Sequence, residues 1–153
     1  MSANQIKPIT YNSCFTNSVD AQRRVPIPAM WRPTEPGAEF TMILWPKHAA
    51  GECLRVLPEE KFQQLKAGLD ALPNSDPNKV FLKRFIGGNS VQVALDSAGR
   101  ICIPEEMKKA AKIGAKAVFA GLLDCFEVWC PERHAEVQRM DAPRSAAAFE
   151  MME

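Results

Sequence analysis

Val91, Val93 and Leu95 alternate with Gln92 and Ala94, a period of two that predicts a strand with one buried face. The spacing of Tyr11, Phe15 and Val19 predicts another strand over residues 11–19, and Arg24 to Ile27 returns as a second after the turn Asp20-Ala21-Gln22-Arg23. The largely apolar run Phe40 to Trp45 predicts a buried strand, and Cys53 to Leu57, Ala117 to Ala120 and Phe126 to Cys130 read as further strands, with a short one at Ile101 to Ile103. Phe62, Leu65, Leu69 and Leu72 switch to a spacing near 3.6 and predict a helix, opened by Pro58 with Glu59 and Glu60 at the positive end of its dipole. Asp76 caps a second helix that Pro77 begins and Gly87-Gly88 ends, with Phe81 and Phe85 on one face. A short helix after Pro104 carries Glu105 and Glu106 early and Lys108, Lys109 and Lys112 late, and stops at Gly114. Pro28 opens a turn holding Trp31 and Arg32, and Pro131-Glu132 opens a last helix. Residues 1 to about 10 read as a loose arm.

The pattern repeats. Val19-Asp20-Ala21-Gln22-Arg23-Arg24-Val25-Pro26-Ile27-Pro28 aligns without gaps on Leu95-Asp96-Ser97-Ala98-Gly99-Arg100-Ile101-Cys102-Ile103-Pro104, 76 residues on. Asp20/Asp96, Arg24/Arg100 and Pro28/Pro104 are identical, and the apolar positions match in kind. Cys53 to Leu57 aligns on Cys125 to Trp129 in the same way. Two copies are too few for a solenoid and suit one domain with an internal pseudo-twofold axis. The expected division is a first half at 11–58, connecting helices at 59–90, a second half at 91–137 and a mobile tail at 138–153. The fold class is mixed α/β, mainly β with short helices.

Composition narrows the chemistry. A chain of 153 residues, 46% hydrophobic and 24% charged, is average for one globular domain with a real core. A formal net charge of +1 excludes a global field that would drive it onto polyanions and leaves room for a local patch. Cys14, Cys53, Cys102, Cys125 and Cys130 form no CxxC pair, and His48 and His134 are not spaced as co-ligands, so no metal and no cofactor are expected. Reduced thiols, no signal-peptide pattern and no apolar run near ~20 residues make a cytoplasmic chain without a membrane partner the expectation. Gly87-Gly88 lacks the phosphate-loop lysine pattern, and no nucleophile stands at catalytic spacing from a base, so an enzyme is not expected.

The duplicated motif, with Phe126-Glu127-Val128-Trp129 and Pro131-Glu132-Arg133 downstream, resembles the MraZ family of bacterial transcriptional regulators, built from two AbrB-like (SpoVT/AbrB) halves. The similarity runs from about Tyr11 to Val137. It implies duplicated swapped-hairpin β-barrel halves, ring-like homo-oligomers and a nucleoid-associated protein. It also implies binding to repeated boxes in double-stranded DNA upstream of division and cell-wall genes. Carried over residue by residue, the DNA-binding candidates are Arg24 and Arg100, with Gln22, Arg23 and Ala98 at the turns. Asp20, Asp96, Gly99, Pro28 and Pro104 would support the motif. A guanidinium offers a planar fork for guanine or phosphate, and a two-stranded ribbon is slim enough for the major groove. Two rival readings stand: another AbrB-type operon autoregulator of the antitoxin kind, or a ring-forming interaction protein without DNA binding.

The first copy departs from the pattern at Arg23, where the second has Gly99. If that position needs a positive φ, Arg23 would be strained, so a different turn is expected there, with Arg23 turned to phosphate. Pro26 lacks a backbone donor, which points to a strand edge. Lys108, Lys109, Lys112 and Lys116, like Lys79, Lys83 and Arg84, read as solvated helix faces. Trp31, Trp45, Trp129, Phe62, Phe81 and Phe85 read as core or subunit interface. Cys53 and Cys125 read as packing residues, and Phe62, Leu65, Leu69, Phe81 and Phe85 as more apolar surface than one subunit needs.

Overall fold

A computed structural model describes residues 8–153; residues 1–7, most of the expected N-terminal arm, lie outside the described residues. In chain order, β1 (Cys14–Ser18) and β2 (Arg24–Pro26) precede a 3-10 turn at Ala29–Trp31. Then come β3 (Glu39–Trp45), β4 (Cys53–Pro58), α1 (Glu59–Asp70) and α2 (Pro77–Gly88). The second half supplies β5 (Ser90–Ala94), β6 (Arg100–Cys102), α3 (Glu105–Ala110), β7 (Lys116–Gly121), β8 (Phe126–Trp129) and α4 (Pro131–Asp141). Within the stretch expected as a mobile tail, α4 runs to Asp141, and a 3-10 turn at Ala142–Arg144 leads into α5 (Ser145–Glu150). Phe149, Met151 and Met152 at its end are exposed.

The starts and stops follow local chemistry. The Asp76 side chain accepts a bond from the Asn78 N–H at 2.9 Å and caps α2 ahead of Pro77. Strand β1 is shorter than the apolar spacing predicts, because Ser13 takes a φ of +76° and breaks the extended backbone. Tyr11 is left in an isolated bridge to Leu123. Gly121 permits the crossing, since a Cβ there would stand 2.3 Å from the Tyr11 carbonyl oxygen.

The eight strands form a six-stranded sheet in the order β1-β7-β8-β4-β3-β5 and a separate two-stranded ribbon, β2-β6, with every pairing antiparallel. Strand β1 pairs with β7 across the sequence, and β5 pairs with β3. Exchanging β1 with β5, β3 with β7 and β4 with β8 leaves the sheet order unchanged. The registers keep the same relation: Cys14 faces Ala120 as Ser90 faces Ile43, and Val25 faces Ile101 in the ribbon. Pro26 sits on that ribbon, where its missing donor breaks no ladder on the free side.

One core lies between sheet and ribbon. Trp31 is fully buried at its centre, with ring centroids 5.0 Å from Phe126, 5.4 Å from Phe15 and 5.8 Å from Tyr11. Val25, Ile27, Ile101 and Ile103 join it from the ribbon strands and the residues just after them, each excluding solvent completely. Burial of one such side chain stabilises by about 1.5–3 kcal/mol. Phe62 and Leu65 of α1 pack with Ile86 against a smaller cluster of Ile43, Leu57 and Cys125. Phe81 and Val80 of α2 remain exposed. Inward Val25 and Ile101 send Arg24, Arg100 and Cys102 to the opposite face, because successive side chains on a strand alternate.

Candidate nucleic-acid interface

Each end of the ribbon carries the same turn. The Asp20 Oδ1 accepts from the backbone N–H groups of Gln22 at 2.9 Å and Arg24 at 2.8 Å. Asp96 Oδ1 does the same for Ala98 and Arg100, both at 2.9 Å. A short polar side chain that satisfies the turn's own donors is the reason aspartate suits this place. The second carboxylate oxygen then holds the arginine: Arg24 Nε donates to Asp20 Oδ2 at 2.9 Å, and Arg100 Nε to Asp96 Oδ2 at 2.8 Å. Both carboxyl groups are held below the usual carboxylate range, chiefly by the arginine backbone N–H and then by the guanidinium bond.

The two arginines stand as diagonal neighbours on one face, since Arg24 lies opposite Cys102 and Arg100 opposite Pro26. Arg100 Nη1 also approaches Asp20 Oδ2 at 3.8 Å, so that one oxygen lies between both guanidiniums. Arg24 Nη2 donates to Gln22 Oε1 at 3.2 Å. With each Nε tied back, the Nη groups are the ends presented outward, and about a third of each arginine side chain meets solvent. The face therefore holds two cations and two anions, aligned but balanced in charge. Gln22 and Ala98 are exposed at the turn tips, while Pro28 and Pro104 cap the turn Ala29–Trp31 and helix α3.

The expectation of a different turn at Arg23 is not met. Arg23 takes φ +62° and Gly99 +76°, and the backbone hydrogen bonds of the two turns match one for one. The strain at Arg23 is offset by a contact that glycine cannot make: its Nε donates to the Ile103 carbonyl at 3.0 Å. At the other turn Arg32 plays that part, donating from Nε to the Ile27 carbonyl at 2.8 Å. A Cβ on Gly99 would stand 2.4 Å from the Arg32 guanidinium carbon. Each turn is thus backed by one guanidinium, from the turn itself in the first copy and from the segment after Pro28 in the second. Sequence reasoning missed Arg32 in this role, because its contact with Gly99 spans 67 residues and no local spacing signals it.

Elsewhere the described residues hold no group of three or more His, Cys, Asp or Glu placed for a metal ion. All five cysteines are unpaired; burial pushes Cys125 up to about 12 and Cys53 higher still, which keeps both as thiols. No described helix is long and apolar enough to cross a membrane.

Comparison with known proteins gives the chain its family. The family model "MraZ protein, putative antitoxin-like" matches residues 86–152. The transcriptional regulator MraZ of Shewanella frigidimarina is 32% identical over 124 residues, covering 81% of this chain and 80% of that protein. The chain belongs to the MraZ family. A second MraZ, from Leuconostoc citreum, is 30% identical over 77% of this chain and 79% of its own length. The MraZ of Roseiflexus is 29% identical over 141 residues, 91% of this chain and 94% of its own, a span that necessarily includes both motif copies. MraZ similarity therefore extends beyond the second half that the family model covers.

Proposed function

We propose that this chain is a sequence-specific DNA-binding transcriptional regulator of the MraZ type, reading duplex DNA with the β2-β6 ribbon. The observation that carries it is the placement of Arg24 and Arg100 on one outward face, each held through Nε by an aspartate and with about a third of its side chain open to solvent. A ribbon of two strands fits a major groove about 12 Å wide, and a guanidinium held in plane is ready for guanine O6 and N7. Locking before binding lowers the conformational cost of recognition. The expected sites are repeated boxes upstream of division and cell-wall genes, as the resemblance implies, with the protein on the nucleoid.

The reading includes two swapped-hairpin halves, 11–58 and 91–137, related by a pseudo-twofold axis. Its support is the exchange-invariant strand order and the matched registers. It also includes a homo-oligomer, supported by the exposure of Val80 and Phe81 on α2. The charge balance of the motif face favours one rival, an interaction protein without DNA affinity. Fluorescence anisotropy on the protein's own upstream region, titrated with salt, decides between them. Specific binding with a steep salt slope supports the regulator, and no preference over a scrambled duplex refutes it.

A further inference from the structure

Because Asp20 and Asp96 neutralise Arg24 and Arg100, the motif face supplies little of the attraction to phosphate that every DNA-binding protein needs. Beside the first turn several cations gather that the motif does not contain. A concavity of about 460 Å³ is lined by Arg23, Lys108, Lys109, Lys112, Glu105 and Ile113. Lys109 reaches Glu105 at 3.7 Å, whereas Arg23, Lys108 and Lys112 form no ion pair among the described residues. The helix dipole of α3 accounts for lysines in its last turn, but not for their convergence on a guanidinium from another strand end. Two bonds fix that convergence, from the Ile103 N–H to the Arg23 carbonyl at 2.9 Å and from Arg23 Nε to the Ile103 carbonyl at 3.0 Å. Lys112 turns back at φ +54° where α3 ends.

The other flank is built differently. The positions 76 residues before Glu105, Lys108, Lys109 and Lys112 are Ala29, Arg32, Pro33 and Pro36. Of these only Arg32 is basic, and Glu35 stands nearby in sequence. We infer that the concavity of Arg23, Lys108, Lys109 and Lys112 holds the DNA phosphodiester backbone beside the ribbon, on this flank alone. The motif would then read bases with two equivalent arginines, while the backbone is gripped asymmetrically and fixes the direction in which each subunit sits on its box. This inference rests on the DNA-binding reading above and assigns to it residues that the motif does not contain.

The test uses the full chain carrying Lys108→Gln and Lys112→Gln, with Lys47→Gln and Lys66→Gln as a charge-matched control. The expected result is a fall of about 1–2 in the slope of log affinity against log salt, because each lost phosphate contact removes about 0.9. The ratio of specific to scrambled affinity should stay the same. Phosphate-ethylation interference on a single box should be strong on one side and vanish in the double variant. Normal binding by the wild type with an unchanged slope in the double variant overturns the inference and leaves the DNA-binding reading standing. Symmetric interference overturns the one-sided grip. A wild type that binds no DNA overturns both. Should the DNA slope be unchanged while pyrophosphate shifts the α3 amide resonances, the concavity serves a free phosphate ligand and the inference falls.

Discussion

At the scale of single residues, the aspartates matter as much as the arginines. Arg100→Ala is expected to lose about 1–3 kcal/mol of affinity for the specific site, the scale of one bidentate base contact, with Arg24→Ala close behind. Melting temperature should move little in either variant, since partly exposed ion pairs are screened. Equal affinity combined with a lower melting temperature would make the motif a turn lock and nothing more. Asp96→Asn should act differently: it frees Arg100 and adds a net positive charge, so affinity for scrambled DNA rises while discrimination falls. Competition between specific and scrambled duplexes reads this directly. Acid should mimic it. The folded Asp20 and Asp96 have lowered pKa values, so the stability they give is present above the unfolded value near 3.9 and is lost as pH falls through their folded values. NMR of the Arg24 and Arg100 Nε–H signals should show the locks opening only in that acid range.

Elements decide what the subunit shows to others. Helix α2 is capped well by Asp76 but packs weakly, with no residue fully buried. Asp76→Ala should cost about 1 kcal/mol by leaving an orphan N–H at its start, measurable by urea denaturation. Phe81 lies 6.2 Å from Phe85 between ring centroids and is more than half exposed. Phe81→Ser should leave subunit stability almost unchanged and lower the assembled mass in light scattering. A wild-type protein that is monomeric at micromolar concentration would refute the interface. Strands β1 and β5 carry a different consequence, because each pairs only with a strand from the other half of the chain.

The whole molecule is therefore expected to unfold as one unit. Residues 8–58 alone lack β7 to pair with β1, β5 to pair with β3 and β6 to complete the ribbon. Expressed alone, this piece should show no cooperative melting by circular dichroism. The β4-β8 pairing at the middle of the sheet also joins the halves, and there Arg55 lies opposite Glu127. Arg55 donates to Glu127 Oε2 from Nη2 at 2.7 Å and from Nε at 3.1 Å, and Trp129 Nε1 donates to Oε1 at 3.0 Å. The Arg55 guanidinium also lies 4.1 Å from the Trp45 ring centroid. Glu127→Ala would strand a half-buried cation and an indole donor, at a cost of about 3 kcal/mol. Restoring wild-type stability by the further change Arg55→Met would identify the loss as an unpaired charge.

Most of the elements were written in local pattern. Period-two and period-3.6 spacing found the strands and helices, Pro77 and Asp76 marked α2, and the 76-residue repeat found both turns. Those signals are local because backbone propensity and capping act over a few residues. The candidate arginines were legible for the same reason, since the Asp-to-Arg spacing of four closes within one turn. The rest needed the chain folded. That Arg23 keeps the glycine turn depends on the Ile103 carbonyl, 80 residues away, and no local rule foretells that bond. The pairing of Val25 with Ile101, which puts both arginines on one face, is a long-range register. So is the meeting of Arg23 with the lysines after Pro104, which sequence reading took for a solvated helix face. Sequence determined which residues carry the candidate chemistry; tertiary structure decided which of them stand together, because side chains far apart in the chain meet only when the chain folds around one core.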